Sequence, residues 1–452
     1  MFICFLILVV LLAISDAKRV VCYTTNWSQY REGLGKFVPE DIDPHLCTHL
    51  IYSFVKLNGT KLAPMEWNDD STDLMKGMYE RTMDLKLRNN QLKILLAIGG
   101  ANFDNSKLVE IVKSHEKLRE FSVNCVDYLK KRNFDGLDLD WEYPNGYKKE
   151  FTKLVIELKN EFKNFNLLLT AAVAASKENI DASYDIPQLA LYLDFLNLMT
   201  YDYHGAWEKT TGHVAPLYSR KNENNEQKMY NVDFTIQYYI NQGFPEHKIN
   251  LGFACYGKSY TLKSTKFIRF GSPVQGAGII GNYTKENGTL AFYEICERMN
   301  DNWESGWDDE HKVAFLYRRD QFVGYENEES LKEKVEYVKK KHLGGIMFWS
   351  MDMDDFSGSF CKRGKYPMIK TVRDFYMPHL NQIVKLKKNE RINECYNGDG
   401  FYVNLKDQCN SYYVCEYSET SSFKIRKYSC PKGTLFDKNL IACNFKQFVK
   451  CD

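Results

Sequence analysis

Short apolar runs recur along the chain, separated by amphipathic stretches. Val20–Tyr23, Leu50–Phe54, Ile94–Ile98, Leu137–Trp141, Leu167–Val173, Phe195–Met199, Ile249–Ala254 and Ile346–Trp349 are each near-continuously apolar. Runs of that kind predict strands buried on both faces of a parallel sheet. Segments between them, such as Glu116–Lys130 and Glu150–Glu161, carry apolar residues at helical spacing. Repeated strand–helix units over about 350 residues predict an α/β fold, a (β/α)8 TIM barrel. The gap between the seventh and eighth runs is far longer than one helix needs. Residues Tyr256 to about Tyr325 therefore read as a small α+β insertion, with strand-like Tyr260–Leu262 and Val313–Tyr317. Beside a barrel mouth, such an insertion deepens a cleft.

The fourth run stands apart. In Phe134-Asp-Gly-Leu-Asp-Leu-Asp-Trp-Glu-Tyr-Pro144, strand alternation puts Leu137, Leu139 and Trp141 on one face and Asp138, Asp140 and Glu142 on the other. The acids then sit about 6.6 Å apart in file. A solvated edge strand mixes Lys, Thr and Ser with its acids, because like charges repel. A calcium loop needs glycine at its sixth position and polar spacers, whereas the spacers here are Leu, Leu and Trp. Crowded acids instead push each other's pKa values apart, so one stays protonated beside an ionised neighbour. That is the requirement for a general acid working next to a charge stabiliser.

A barrel site lies at the C-terminal ends of the strands, which makes the reading checkable along the chain. The first strand leads to Tyr23 and Trp27, and the third ends at Gly99-Gly100. The sixth ends Met199-Thr-Tyr201-Asp202-Tyr203, and the eighth ends Phe348-Trp349. Polar, aromatic and glycine residues gather at the expected edge.

Composition adds an address. Phe2–Ile14 is apolar and is followed by Ser15-Asp16-Ala17, the form of a secretory signal peptide over residues 1–17. Without Cys4, an even twelve of the 13 cysteines remain, as suits an oxidising, extracellular compartment. Asn26, Asn58, Asn282 and Asn287 open N-x-S/T sequons, glycosylation acceptors in a secreted chain. The net charge of +1 and the absence of a basic block give no footprint for nucleic acid, and no later run is long enough for a membrane. The chain reads as a monomer. After a hydrophilic linker over 378–394, Cys395, Cys409, Cys415, Cys430, Cys443 and Cys451 crowd into 395–452. So small a unit relies on disulfides, and spacing alone leaves their pairing open. Without a His in the tail, a zinc site is disfavoured.

The acid strand resembles the D-x-x-D-x-D-x-E signature of glycoside hydrolase family 18 chitinases, here Asp135, Asp138, Asp140 and Glu142. Leu92–Gly100, Met199–Trp207 and Gly344–Ser350 are similar to the family's third-, sixth- and eighth-strand motifs, so the resemblance spans about residues 20–377. It implies a catalytic barrel over 18–377 that cleaves β-1,4-linked N-acetylglucosamine with retention, using the substrate's own N-acetyl carbonyl as nucleophile. Glu142 would be the proton donor, Asp140 the partner of the N-acetyl group, and Asp138 its modulator. Asp135 would be structural, and Tyr201 with Asp202 would complete the catalytic set. Trp349 would floor the cleft. Tyr23, Trp27, Gly99, Gly100, Met199, Trp207, Tyr256 and Glu294 would line it as substrate-binding positions. The implied disulfides are Cys22–Cys47 and Cys296–Cys361. No metal or organic cofactor is implied.

Ala101 replaces the Trp usual after the glycine pair, and Lys258 stands where many relatives carry Arg, losing a planar bidentate donor. A glycan on Asn26 would crowd the cleft beside Trp27. The tail, with Ser411-Tyr-Tyr-Val-Cys415 and Cys430–Asp437, resembles a peritrophin-A type chitin-binding module. That likeness implies Cys395–Cys415, Cys409–Cys451 and Cys430–Cys443; Tyr412, Tyr413, Phe423 and Phe436 are the candidates for stacking surfaces, although some of them must fill so small a core. The expected partners are chitin and chitooligosaccharides. The rival expectation is a catalytically silent chitin-binding lectin on the same fold, although the usual route to one, loss of the terminal Glu, is not taken here.

Overall fold

The structure, a computed structural model, describes residues 18–377, 400–404, 407–417, 423–437, 442–449 and 451. The leader over 1–17, the linker over 378–394 and Cys395 lie outside them, as do the side chains of Cys415 and Phe423. The chain divides into two compact units, Met1–Tyr376 and Met377–Asp452.

In the first unit the strands run β1 (Arg19–Thr25), β2 (His49–Asn58), β3 (Lys61–Ala63), β4 (Lys93–Gly99), β5 (Gly136–Asp140), β6 (Leu168–Val173), β7 (Phe195–Leu198) and β8 (Ile249–Ala254). β9 (Tyr256–Leu262), β10 (Val274–Ala277), β11 (Thr289–Ala291), β12 (Glu304–Asp308), β13 (Val313–Arg318), β14 (Gln321–Tyr325) and β15 (Gly345–Trp349) follow. The sheet runs β1-β15-β8-β7-β6-β5-β4-β2, and β1 also pairs with β2, closing a ring of eight parallel strands. Closure removes every exposed edge, so the strands are buried on both faces and read as apolar runs. All eight runs of the sequence are barrel strands.

Helices cover the outside for legible reasons. In helix His115–Lys131 the Ser114 side chain accepts the Lys117 N–H, so an otherwise unpaired amide of the first turn is satisfied. Leu118, Phe121, Cys125, Val126 and Leu129 form its buried stripe, the i, i+3, i+4, i+7 pattern of a core-facing helix. Lys130 and Lys131 stand in the last turn, and Asn133 leaves it with φ 59°.

Between β8 and β15 the chain builds a second sheet in the order β10-β9-β14-β13-β12, with β11 on β9. Its core packs Tyr260, Leu262, Phe270, Val274, Val313, Phe315 and Phe322. Disulfides join Cys22 to Cys47 and Cys296 to Cys361, while Cys125 and Cys255 are free and buried.

The second unit, taken by itself, holds an antiparallel sheet of β16 (Gly400–Val403), β17 (Ser411–Tyr417) and β18 (Phe423–Ser429), and a hairpin of β19 (Thr434–Asp437) with β20 (Ala442–Phe445). Cys409–Cys451 and Cys430–Cys443 are bonded. Tyr413 and Phe436 are 8% and 2% exposed, so these two of the four candidate aromatics fill the small core and are not stacking surfaces. Tyr412 stacks on Phe436 at 4.2 Å and on Tyr428 at 5.5 Å. Among the described residues no helix is long and apolar enough to cross a membrane.

One seam positions the site. β5 pairs with β4 up to Gly99 opposite Asp140 and stops there, one residue earlier than the apolar run suggested. The reason is backbone geometry: Gly99 and Gly100 have φ of 123° and 89°, and β4 turns away. The Gly100 N–H donates to the Asp140 carbonyl at 2.7 Å. A Cβ on Gly99 would stand 1.8 Å from that carbonyl oxygen. Gly99→Ala is therefore predicted to destabilise the barrel by more than about 3 kcal/mol, read by urea unfolding. A midpoint unchanged from wild type would contradict this packing.

Candidate active site

The carboxylates of β5 point into the barrel, where water cannot satisfy them. Asp138 is fully buried, and its oxygens accept hydrogen bonds from Tyr23 Oη at 2.7 Å, Thr170 Oγ1 and Asn197 Nδ2 at 3.3 Å. Asn197 Nδ2 also donates to Tyr23 Oη, and its own carbonyl accepts from Asn250 Nδ2 at 2.9 Å. Arg19 Nε then donates to Asn250 Oδ1 at 3.0 Å. One donor chain thus crosses the barrel from β1, β6, β7 and β8 to β5. Burial still pushes Asp138 up to about 6, against the pull of its three donors.

Asp140, the next acid on that face, is 2% exposed, and its Oδ1 has no hydrogen-bond partner among the described residues. Burial, then the neighbouring charges of Glu142 and Asp138, raise it well above the ordinary carboxylate range. Glu142 lies two residues past the strand on the cleft side and is half-buried. Its backbone carbonyl is held by Asn105 Nδ2 at 2.9 Å. Burial raises its carboxyl to about 7; a hydrogen bond from Tyr143 opposes the shift and the Asp202 charge adds to it. Glu142 is therefore a half-exposed acid that holds its proton near neutrality, backed by a second raised acid. Asp135 sits apart at the other end of β5, accepting the Ile94 N–H at 2.7 Å and pairing with Lys86 at 2.5 Å.

The sixth-strand motif supplies the facing wall. Gly252 on β8 leaves room for the Tyr201 ring, since a Cβ there would come within 3.0 Å of it. Burial and the nearby Asp140 and Glu142 charges hold the Tyr201 phenol well above its usual range, so it stays a neutral donor. Among the described residues its hydroxyl meets only the Met347 sulfur, at 3.9 Å. Asp202, at φ 56°, accepts from Tyr256 Oη at 2.9 Å and pairs with Lys258 Nζ at 2.9 Å. Lys258 Nζ also lies over the rings of Tyr256 and Trp207, 5.1 and 5.5 Å from their centroids. Met199 is buried beneath, at 9% exposure.

The floor is aromatic. Trp349 packs against Tyr23 at 5.4 Å, Phe54 at 6.0 Å and Trp27 at 6.4 Å. Trp27 and Trp207 are exposed and offer ring faces, and Ala101 is exposed without one. Phe54, Thr170, Asn197, Asn250 and Asn105 were not anticipated from the sequence. Only Phe54 carried a usable signal, as an aromatic residue at the end of a barrel strand.

Several expected positions need correction. Tyr23 is 1% exposed with its hydroxyl committed to Asp138, so it lies under the cleft and supports an acid. Gly99 and Gly100 are buried against the Asp140 backbone and the Phe54 ring, giving close approach rather than a surface for substrate. Glu294 is 1% exposed: it accepts the N–H groups of Tyr283, Thr284 and Ala291 and the Thr284 hydroxyl. Its lone pairs cap a helix and pin the 281–284 loop, so it does not line the cleft. Asn26 is 2% exposed and its Nδ2 donates to the Phe54 carbonyl at 3.0 Å. A buried, bonded amide cannot bear a glycan. Asn58, Asn282 and Asn287 are exposed. No group of His, Cys, Asp and Glu arranged to hold a metal occurs among the described residues.

Comparison with known proteins agrees with this geometry. Residues 19–354 match the model of glycosyl hydrolases family 18, and residues 395–451 that of the chitin binding Peritrophin-A domain. The chain is 36% identical over 465 residues to chitotriosidase-1 of Mus musculus, covering 95% of this chain and 96% of that protein. Two solved structures superpose with TM-scores of 0.76: an immunomodulatory active chitinase from Trichuris suis, 38% identical, and human YKL-39, described as a pseudo-chitinase with retained chitooligosaccharide binding, 40% identical. Each covers 79% of this chain and 99% of the other. The chain belongs to glycosyl hydrolases family 18, with a peritrophin-A chitin-binding domain at its C-terminal end.

Proposed function

We propose that the protein is a secreted, endo-acting chitinase that hydrolyses β-1,4 links between N-acetylglucosamine units with retention. The observation that carries this reading is Glu142, a cleft-side acid raised to about 7 directly above an intact Asp138–Asp140 pair. Glu142 gives its proton to the glycosidic oxygen. The substrate's N-acetyl carbonyl attacks the anomeric carbon, and an oxazolinium ion forms. Asp140, whose Oδ1 has no protein partner, receives the N-acetyl N–H and stabilises the positive charge as its own proton passes toward Asp138. Tyr201, kept neutral, donates to the acetyl oxygen, with Asp202 beside it. Water then opens the ring while Glu142, now a base, takes its proton.

Trp349 is the floor for the reacting sugar, whose C–H faces pack on aromatic planes, and Trp27 and Trp207 line the same cleft, with Met199 and Tyr256 buried in its wall. The Trichuris relative is described as an active chitinase and YKL-39 as a pseudo-chitinase, so family membership alone does not decide activity. The retained acid does favour it. Secretion is supported by the apolar leader, the disulfides and the exposed sequons. The C-terminal domain holds the barrel on an insoluble polymer, raising the local substrate concentration.

Two outcomes follow. Wild type is expected to release short chitooligosaccharides that are initially β-anomers, and Glu142→Gln to lose at least about a thousandfold in kcat. A wild type that binds chitin as the variant does and releases nothing would make the protein a lectin.

The pH profile of kcat/KM should fall above about pH 7, because the acid must be protonated in the free enzyme. Asp202→Asn removes a negative charge that disfavours ionised Glu142 and leaves the Lys258 cation unopposed. Both effects lower the Glu142 pKa, so the alkaline limb should move to lower pH. A limb that stays in place or moves up would contradict the assignment.

A further inference from the structure

Resting on the secretory reading above, a second feature of the cleft wall comes into play. A recess of about 270 Å³ lies beside Asp202 and is lined by Trp207, Lys258, Thr289 and Asn287. Asn287 opens the sequon Asn287-Gly288-Thr289, and its side chain is exposed. The sequon is held to the wall. Gly288 has φ +73°, and a Cβ there would stand 3.0 Å from the Cβ of Ala206, the neighbour of Trp207. Thr289 opens β11, and its hydroxyl lies 3.3 Å from Lys258 Nζ, which pairs with Asp202 and lies over the Trp207 ring. Trp207 is 66% exposed, so much of its indole is open to solvent. Asn26, the sequon that the sequence put beside the cleft, is buried and bonded. Asn287 is the acceptor that the fold brings there.

The chemistry of an N-linked glycan makes this placement specific. Its stem is two β-1,4-linked N-acetylglucosamine units, the disaccharide repeat of chitin, attached through the reducing end. We infer that Asn287 carries an N-glycan whose chitobiose stem lies on Trp207 and acts as a tethered competitor for the cleft. In the transfer, Asn287 Nδ2 attacks the anomeric carbon of a lipid-linked oligosaccharide. A C–N bond forms, the C–O bond to the polyprenyl diphosphate breaks, Nδ2 gives up one proton, and nothing is oxidised. A stem tethered this closely is present at an effective concentration of about a millimolar. Free chitin chains must displace it from the recess, so the modification tunes affinity for long ligands.

The test uses the full chain secreted from eukaryotic cells. Peptide mapping should find carbohydrate on Asn287 and Asn58 and none on Asn26. Chitohexaose binding is then measured by calorimetry in the Glu142→Gln background, so that turnover does not consume the ligand and the result does not depend on catalysis. Removing the Asn287 glycan by Asn287→Gln should tighten binding about three- to tenfold, while Asn58→Gln and Asn282→Gln leave it within about twofold. Carbohydrate on Asn58 or Asn282 but not on Asn287 would overturn this inference alone. Carbohydrate on no sequon would overturn the secretory reading together with it. A modified Asn287 whose removal leaves the affinity unchanged would overturn the competition.

Discussion

A carboxylate inside a closed barrel must be met by donors or keep its proton, and the active end of this molecule follows from that constraint. Asp138 is met by Tyr23, Thr170 and Asn197, and that network reaches through Asn250 to Arg19. Asp140 Oδ1 has no hydrogen-bond partner among the described residues, and burial raises both Asp140 and Glu142, with the Asp202 charge adding to the latter. Asp138 and Asp140 share one strand face and Glu142 follows just beyond it, but the three do not share one environment. Their differences come from what β1, β6 and β7 place opposite each, and that grading gives a row of like residues separate tasks.

The second control sits across the cleft. Asp202 is held by Tyr256 and Lys258, and Lys258 in turn touches Trp207 and Thr289. Charge at Glu142 is therefore coupled to the insertion sheet through two residues. Lys258, at 7% exposure, reaches Asp202 as a point charge on a flexible stem rather than as a planar fork. The wall of the cleft and the acidity of its proton donor are built from the same side chains.

Much of this was legible in the sequence. Continuous apolar runs gave all eight barrel strands, because closure buries both faces, and the acid file was visible because alternation put every carboxylate on one side. The partners of that file were not visible. Thr170, Asn197 and Asn250 are single polar residues inside apolar strands, and only the closed ring makes them neighbours. Tyr23 and Glu294 were read as cleft residues because motif matching sees position and not direction: Tyr23 points beneath the floor, and Glu294 spends its lone pairs on loop amides. Asn26 failed as a sequon for the same kind of reason, since burial of its amide depends on Phe54, far along the chain.

Burial in the barrel, and not substrate, holds the Glu142 proton near neutrality. An infrared pH titration of the unliganded protein tests it most directly, using the wild type minus Glu142→Gln difference in the carbonyl stretch of the protonated acid. The account predicts a protonated carboxyl that persists to about pH 7. Loss of that signal near pH 4.5, the ordinary value for a glutamate, would contradict it.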